Sequence, residues 1–512
     1  MSTAIELAVL ALATWPALRL LSIPSTRREY PRIAVVLVFL LALYASLVVW
    51  TAAVHPGWLA PTAAIAAIAV GAERWRARPA YGTRRGLPPG RLGLFPRGPW
   101  VDDRFFAKQC ERFGPIFKYS LQYRPCVCVL GAPLGAELIR ANADALQGPP
   151  VRFNRFIPKG FLRYMDPADH PFYKRTLANA FAPSTLAAIE PDLRAIARRG
   201  LSRLEREAGV DGCRGCPPRP ALEALVFEML VAAFYGVRAE CPEFSWLRDR
   251  YAELDLRKVS LASGTRDRGA LALLEAWVRR RGQAMGEAAD RGIPPPVCFL
   301  TTLLATRAAS LDDETLVGNW VYALNVGRAD LTALWLWVLK LLGDEPGEAE
   351  RLRTVVRSGA GGEGAAIAWR IVRETLRMEQ SEYIYRIARR EIRFRDLRIP
   401  KGWRVRILIR EGHRDAAYFP DPDRFDPDRW SGAPDADPRF QPFGLGAHAC
   451  IGVPITESLS TIFLTELARG FDWQVVEDGP REYGWAHWQP SARLRLALQR
   501  VAAPISKSGL RE

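Results

Sequence analysis

The sequence predicts a mainly α-helical fold with a small β region, preceded by transmembrane helices at the N-terminus. Three observations lead there. Helical hydrophobic periodicity recurs in long windows at 192–207, 221–235, 271–290, 312–342 and 365–378. Strand-like stretches are short and few, at 116–121, 126–130, 392–397 and 405–409. Ahead of both lie apolar runs interrupted by clusters of arginine.

The N-terminal runs come first in the chain. They cover 5–18, 33–54 and 57–72, and the middle one is 22 residues without a charge. A helix needs about 20 apolar residues to cross the hydrocarbon core. The middle run meets that length and its neighbours are marginal. A cleaved signal peptide fits poorly, because no basic segment precedes the first run. Arg27, Arg28 and Arg32 form one basic block, and Arg74, Arg76, Arg78, Arg84 and Arg85 another. The positive-inside tendency wants both in the cytoplasm. Three spans with an outside N-terminus satisfy it, since two crossings then separate the blocks; the alternative is one true span with two interfacial or tightly packed helices. Residues 1–85 thus read as a membrane anchor in contact with lipid, 86–100 as a Gly/Pro-rich linker, and 101–512 as a cytoplasmic catalytic domain. The 63 arginines against 8 lysines hint at a GC-rich bacterial source, hence an inner membrane.

Composition sets the outer limits. At 49% hydrophobic and 25% charged, the 512 residues exclude a disordered or fibrous chain, and a core this large needs no disulfides. The net charge of +16 admits nucleic acid, an anionic membrane or an acidic partner. No helix-turn-helix, RNP-like or zinc-finger pattern appears, so nucleic acid is excluded as a partner. Through residue 85, nine arginines face three glutamates. Much of the excess therefore sits at membrane boundaries.

Within the soluble part, Ser310 with Asp313 resembles a capping box opening the long helix at 312–342. The pair Cys213–Cys216 lacks the second pair a zinc site needs and reads as a surface loop, with a metal or redox role as the alternative. Cys126 and Cys128 alternate in a strand and share one packing face. Cys450 differs. It lies in Phe443-Gly444-Leu445-Gly446-Ala447-His448-Ala449-Cys450-Ile451-Gly452, just ahead of a helical run. A helix N-terminus and nearby amides stabilise a thiolate, and a thiolate is a strong ligand for haem iron.

This stretch resembles the haem-binding signature of the cytochrome P-450 superfamily, Phe-x-x-Gly-x-x-x-Cys-x-Gly, at every fixed position. Glu374-Thr375-Leu376-Arg377 resembles that family's Glu-x-x-Arg, and Phe425-Asp426-Pro427-Asp428-Arg429-Trp430 its meander motif, with Trp where Phe is usual. The resemblance implies the P-450 fold, haem b as cofactor and Cys450 as the axial metal ligand, in a loop shaped by Phe443, Gly444 and Gly446. It implies a structural ion-pair network of Glu374, Arg377 and Arg429. It also implies propionate donors at His448, His170, Lys174 and Arg386, with Arg175 close to a tie with Lys174.

The same resemblance implies a monooxygenase acting on a small organic substrate. Its electrons would come from an external donor, either a ferredoxin with its reductase or a flavoprotein reductase. The long helix departs from the family. Most members carry Ala/Gly-Gly-x-Asp/Glu-Thr-Thr, whereas this chain has Val326-Gly327-Arg328-Ala329-Asp330-Leu331-Thr332. Aligning Gly327 puts Ala329 at the acid and Asp330 at the alcohol. Thr332 cannot substitute, since two residues are about 200° around a helix. Three readings stay open: Asp330 as the proton donor, an isomerase or dehydratase needing no reductase, or a peroxygenase with Arg328 facing a substrate carboxylate. Asp330 pairing with Arg328 is the plain alternative. The segment 378–386 is expected near the haem edge, carrying Glu379, Gln380 and Glu382.

Overall fold

The apolar run at 57–72 forms helix α1 (Leu59–Arg76). Its uncharged part, up to Glu73, rises roughly 21 Å at 1.5 Å per residue, short of the ~30 Å hydrocarbon core. Among the described residues no helix is long and apolar enough to cross a membrane. The computed structural model describes residues 59–501 except 94–97, 122–123, 149–155, 211–214, 255–264, 307–309, 381–382, 433–436 and 484–487, with scattered positions between 38 and 57. The span expected at 5–18, and most of that at 33–54, lies outside them. Helix α1 leaves Ile68 72% and Trp75 55% exposed.

Residues 86–100, a linker by composition, are partly built into the fold. Strand β1 (Gly90–Arg91) pairs in parallel with β2 (Ile116–Leu121), and Leu87 and Leu92 are buried. Gly90 has φ +117°, and a Cβ there would fall 2.2 Å from the Lys118 carbonyl oxygen. Lys118 is fully buried, and its ammonium donates to the carbonyls of Pro79 at 3.1 Å and Pro88 at 2.6 Å. Burial pushes it down to about 8. A two-residue strand held by backbone pairing leaves no periodicity to read in a sequence.

The main sheet continues with β3 (Arg124–Leu130), β4 (Leu146–Gln147), β5 (Ile384–Ala388) and, beyond the hairpin β6 (Ile392–Phe394) and β7 (Leu397–Ile399), β8 (Arg404–Leu408). Its order is β1-β2-β3-β8-β5-β4. The stretch expected as one strand at 392–397 is thus split, at Arg395, whose φ of 51° turns the chain. Cys126 and Cys128 are fully buried on β3. Four later strands, β9 (Phe471–Glu477), β10 (Glu482–Tyr483), β11 (Trp488–Gln489) and β12 (Arg495–Arg500), form two small two-stranded sheets. Cys216 is buried and bridges to Leu496 rather than lying on a surface loop; Cys213 is outside the described residues.

The longer helices after α1 are α2 (Phe105–Phe113), α3 (Ala132–Ala141), α4 (His170–Ala180), α5 (Pro183–Val210), α6 (Pro218–Tyr235), α7 (Pro242–Glu253), α8 (Thr265–Asp290), α9 (Glu314–Asp344), α10 (Pro346–Arg357), α11 (Gly361–Thr375) and α12 (Val453–Gly470). Helix α5 runs through Pro191, where the sequence suggested a start; its buried Leu186, Leu193, Ile196 and Leu201 offset the lost backbone bond. Helix α9 crosses the core. Its cap is Asp313, whose carboxylate accepts from Thr315 N at 2.8 Å and Leu316 N at 3.1 Å, whereas Ser310 Oγ accepts from Asp312 N. Trp320, Trp335 and Trp337 are fully buried. Trp335 stacks on Phe463 of α12 at 4.2 Å and donates to Ser460 Oγ at 2.9 Å, so the aromatic run is largely core.

Candidate functional site

Residues 374 and 377 lie one turn apart, so their side chains meet. Arg377 grips Glu374 with two hydrogen bonds, Nε at 2.9 Å and Nη2 at 2.8 Å, and neither residue has any exposed side-chain surface. Glu374 also accepts from the backbone N of Asp426 at 3.0 Å, from Arg429 Nε at 3.5 Å, and from the indole of Trp430 at 3.0 Å. Trp430 therefore adds a donor that phenylalanine lacks. Arg429 also donates to the Pro420 carbonyl at 2.8 Å. The three expected network members converge on one buried carboxylate. Such an arrangement is tolerable because every charge is both paired and hydrogen-bonded.

The chain then enters the cysteine loop. Gly444 and Gly446 adopt φ of +89° and +62°, a region that side-chain-bearing residues resist, and a short 3₁₀ turn spans Gly446–His448. The Cys450 amide donates to the Phe443 carbonyl at 2.8 Å, closing the loop. Gly452, the N-cap of α12, directs its N–H to Cys450 Sγ at 3.3 Å. The exposed thiol thus meets a backbone donor and the positive end of an 18-residue helix, the setting that favours a thiolate.

A cluster of basic side chains surrounds this loop. Lys174 on α4, rather than the exposed Arg175, donates to the Ala447 carbonyl at 2.5 Å. The rings of His170 and His448 lie 4.1 Å apart. Burial, then His170, Arg386, Lys174 and Arg163, push His448 down to about 3. Burial, with Arg163 nearby, pushes Arg386 on β5 down to about 10. His448 Nδ1 is buried and finds no hydrogen-bond partner among the described residues. Groups that repel one another beside an orphaned ring nitrogen need anions, and the two propionates of a haem are two carboxylates of the right charge. The residues present fit the cofactor. Arg163 was not singled out from the sequence, since it belongs to no motif and joins the cluster through space.

Helix α9 carries the departure from family pattern. Arg328 Nη2 donates to the Tyr251 carbonyl at 3.3 Å, and Asn325 donates to the Leu254 carbonyl at 2.9 Å. Both side chains satisfy carbonyls at the C-terminal end of α7. That turns Arg328 from the candidate substrate role towards holding two helices together. Ala329 and Asp330 are exposed on α9. Thr332 is buried and donates to the Arg328 carbonyl at 2.8 Å.

The segment 378–386 differs from expectation at its start. Helix α11 ends in a π-turn, Leu376–Gln380, which aims Glu379 into the protein. Fully buried, Glu379 meets Arg481 at 2.7 Å, Arg414 at 2.9 Å and Arg410 at 3.4 Å. It serves an arginine cluster, while Glu382 lies outside the described residues.

His413 is fully buried, and its ring is driven down to about 3 by desolvation, with the nearby Arg377 cation acting the same way. The unfolded chain takes up this proton near the ordinary value of 6.5 and the folded chain only near 3. Below 6.5 the unfolded state therefore binds more protons, and stability falls as pH drops towards 3. Denaturant melts at pH 7, 6 and 5 should show a loss of about 0.7 kcal/mol over the first unit and about 1.2 kcal/mol over the second from this residue alone. A flat profile across that window contradicts the assignment.

The region holding this network is similar to known proteins. Residues 368–486 match the family model for Cytochrome P450. Abscisic acid 8'-hydroxylase 3 of Oryza sativa subsp. indica is 26% identical over 423 residues, covering 76% of this chain and 82% of the relative. Abscisic acid 8'-hydroxylase 2 of Arabidopsis thaliana is 24% identical over 430 residues, covering 77% and 85%. Among solved structures, retinoic acid bound cyanobacterial CYP120A1 superposes with a TM-score of 0.65 at 22% identity, covering 79% of this chain and 96% of that one, which speaks to the fold.

Proposed function

The chain belongs to the cytochrome P450 superfamily and is an oxidoreductase, and from that premise we propose that it is a membrane-anchored monooxygenase inserting one oxygen atom from dioxygen into a small organic acid. One observation carries the reading: the Cys450 thiol faces the Gly452 N–H beside a cluster of His170, His448, Lys174, Arg386 and Arg163. Haem b, when bound, supplies the iron at which dioxygen is activated. Cys450 would hold that iron, its charge stabilised by the Gly452 amide and the start of α12. Lys174, Arg386 and Arg163 would neutralise the propionates, and the imidazoles of His170 and His448 would offer them hydrogen bonds.

The acid class of the substrate rests on the relatives, whose names refer to abscisic acid and retinoic acid. Electrons would arrive from a separate ferredoxin with its reductase or from a flavoprotein reductase. Residues 1–85 would anchor the enzyme in lipid, a reading supported by the exposed Ile68 and Trp75 of α1 and the arginines that follow.

Asp330 takes the proton-delivery role in this reading, because it stands where the helix usually carries an alcohol. General acid catalysis contributes roughly 10²–10⁴-fold. Asp330→Ala is therefore expected to lower product formed per electron consumed by at least about tenfold, while substrate binding is retained. The deciding experiment incubates purified protein with isotopically labelled dioxygen, with and without an electron donor, and follows the label. Label in the product only with the donor supports the monooxygenase. Donor-independent turnover without label replaces it with an isomerase or dehydratase, and turnover on added peroxide with a peroxygenase.

A further inference from the structure

We infer that His413 is the positioning residue that joins the buried Glu374–Arg377 ion pair to the Cys450 loop. The inference rests on the reading of Cys450 as the haem ligand. The residue makes two joints with two different parts of itself. Its carbonyl accepts from Arg377 Nη1 at 2.8 Å, and its ring nitrogen Nε2 accepts from the Gln441 amide at 3.0 Å. From Gln441 the path to the cysteine is short. Gln441 and Phe443 are separated by Pro442 alone, whose ring fixes φ and leaves little slack. The Gln441 carbonyl accepts from Gly444 N at 3.2 Å, and the Phe443 carbonyl accepts from Cys450 N at 2.8 Å. An unbroken series of contacts thus runs from Glu374 through Arg377, His413, Gln441 and Phe443 to Cys450.

The ring is held for this purpose. His413 has no exposed surface, and it packs on Phe440 at 5.2 Å and edge-on to Phe419 at 5.8 Å. Accepting at Nε2 requires the proton on Nδ1, and hydrogen bonds link the imidazole to the backbones of Arg377 and Arg439. A buried neutral ring keeps its acceptor lone pair throughout the physiological range. A phenylalanine would fill the same space without the acceptor, leaving the Gln441 N–H buried without a partner.

The test compares full-length haem-loaded protein as wild type, His413→Phe and His413→Gln. The reduced carbon monoxide complex is followed at fixed, mildly denaturing urea, timing conversion from the thiolate-type band to the band of a lost thiolate. His413→Phe should convert roughly tenfold faster than wild type, and His413→Gln, whose amide oxygen reaches the same position, within about threefold of it. Haem transfer to apomyoglobin should rank the variants in the same order. A role in packing alone would reverse that order, because phenylalanine packs better than glutamine. Equal behaviour of the two variants, whether both intact or both stripped of haem, also overturns the inference. A wild-type protein without the thiolate band would instead refute the assignment of Cys450, which separates the two failures.

Discussion

Replacing Cys450 with serine is expected to abolish the red-shifted Soret band of the reduced carbon monoxide complex and to reduce turnover to background. The Gly452 N–H at 3.3 Å and the head of α12 favour an anionic sulfur there. A serine hydroxyl in the same place stays protonated, because its ionisation lies far above any accessible pH. It would lack the electron donation that a thiolate gives to iron. The measurement is a difference spectrum of purified wild-type and variant protein. A wild-type spectrum of the histidine-ligated type would refute the haem-thiolate reading as a whole, whereas an unchanged band in Cys450→Ser would move the ligand elsewhere.

The second large effect belongs to Glu374. Glu374→Gln keeps the shape but only one acceptor oxygen where Trp430 and Asp426 use two, and it leaves the fully buried Arg377 cation without its counter-charge. Breaking a buried pair from one side costs about 3–5 kcal/mol. Whole domains are stable by only about 5–15 kcal/mol, so haem content and soluble yield should both collapse. Adding Arg377→Met should recover part of the loss, because no unpaired charge then remains buried. Denaturation midpoints of the two single variants and the double variant decide this. A double variant no better than Glu374→Gln would mean that the hydrogen bonds of Arg377 to His413 and Arg424, rather than its charge, dominate.

Much of this site could be read from the chain because its chemistry is local. Cys450 lies six residues after Gly444 and two before Gly452, so glycine turns, cysteine and helix start appear together in one stretch. Glu374 and Arg377 meet because residues three apart on a helix must. The strand at Ile116–Leu121 and the helices of the core followed from periodicity for the same reason. Where the reading fell short, the partner was distant or the contact was made by backbone. Trp430 reaches Glu374 across 56 positions, and His413 meets Gln441 across 28. Lys118 meets Pro88 and Pro79, 30 and 39 positions away, the first in a stretch that composition called a linker and the second in the expected anchor. Glu379 sits in a segment expected near the haem edge, and a π-turn carries its carboxylate into three arginines far off in sequence.

The sequence by itself determined the helical class, the cysteine set between glycine turns and a helix start, the Glu374–Arg377 pair and the Ala329–Asp330 stretch. Those are properties of residue type at short spacing, and short spacing is preserved whatever the rest of the chain does. Only the tertiary structure decided which cations gather around Cys450, where Arg328 points, and how a buried carboxylate is tied to the cysteine loop. Each depends on segments far apart in the chain being packed together in water-free surroundings. There, an unpaired charge or donor is costly, and the fold selects the arrangement in which the charges and donors find partners.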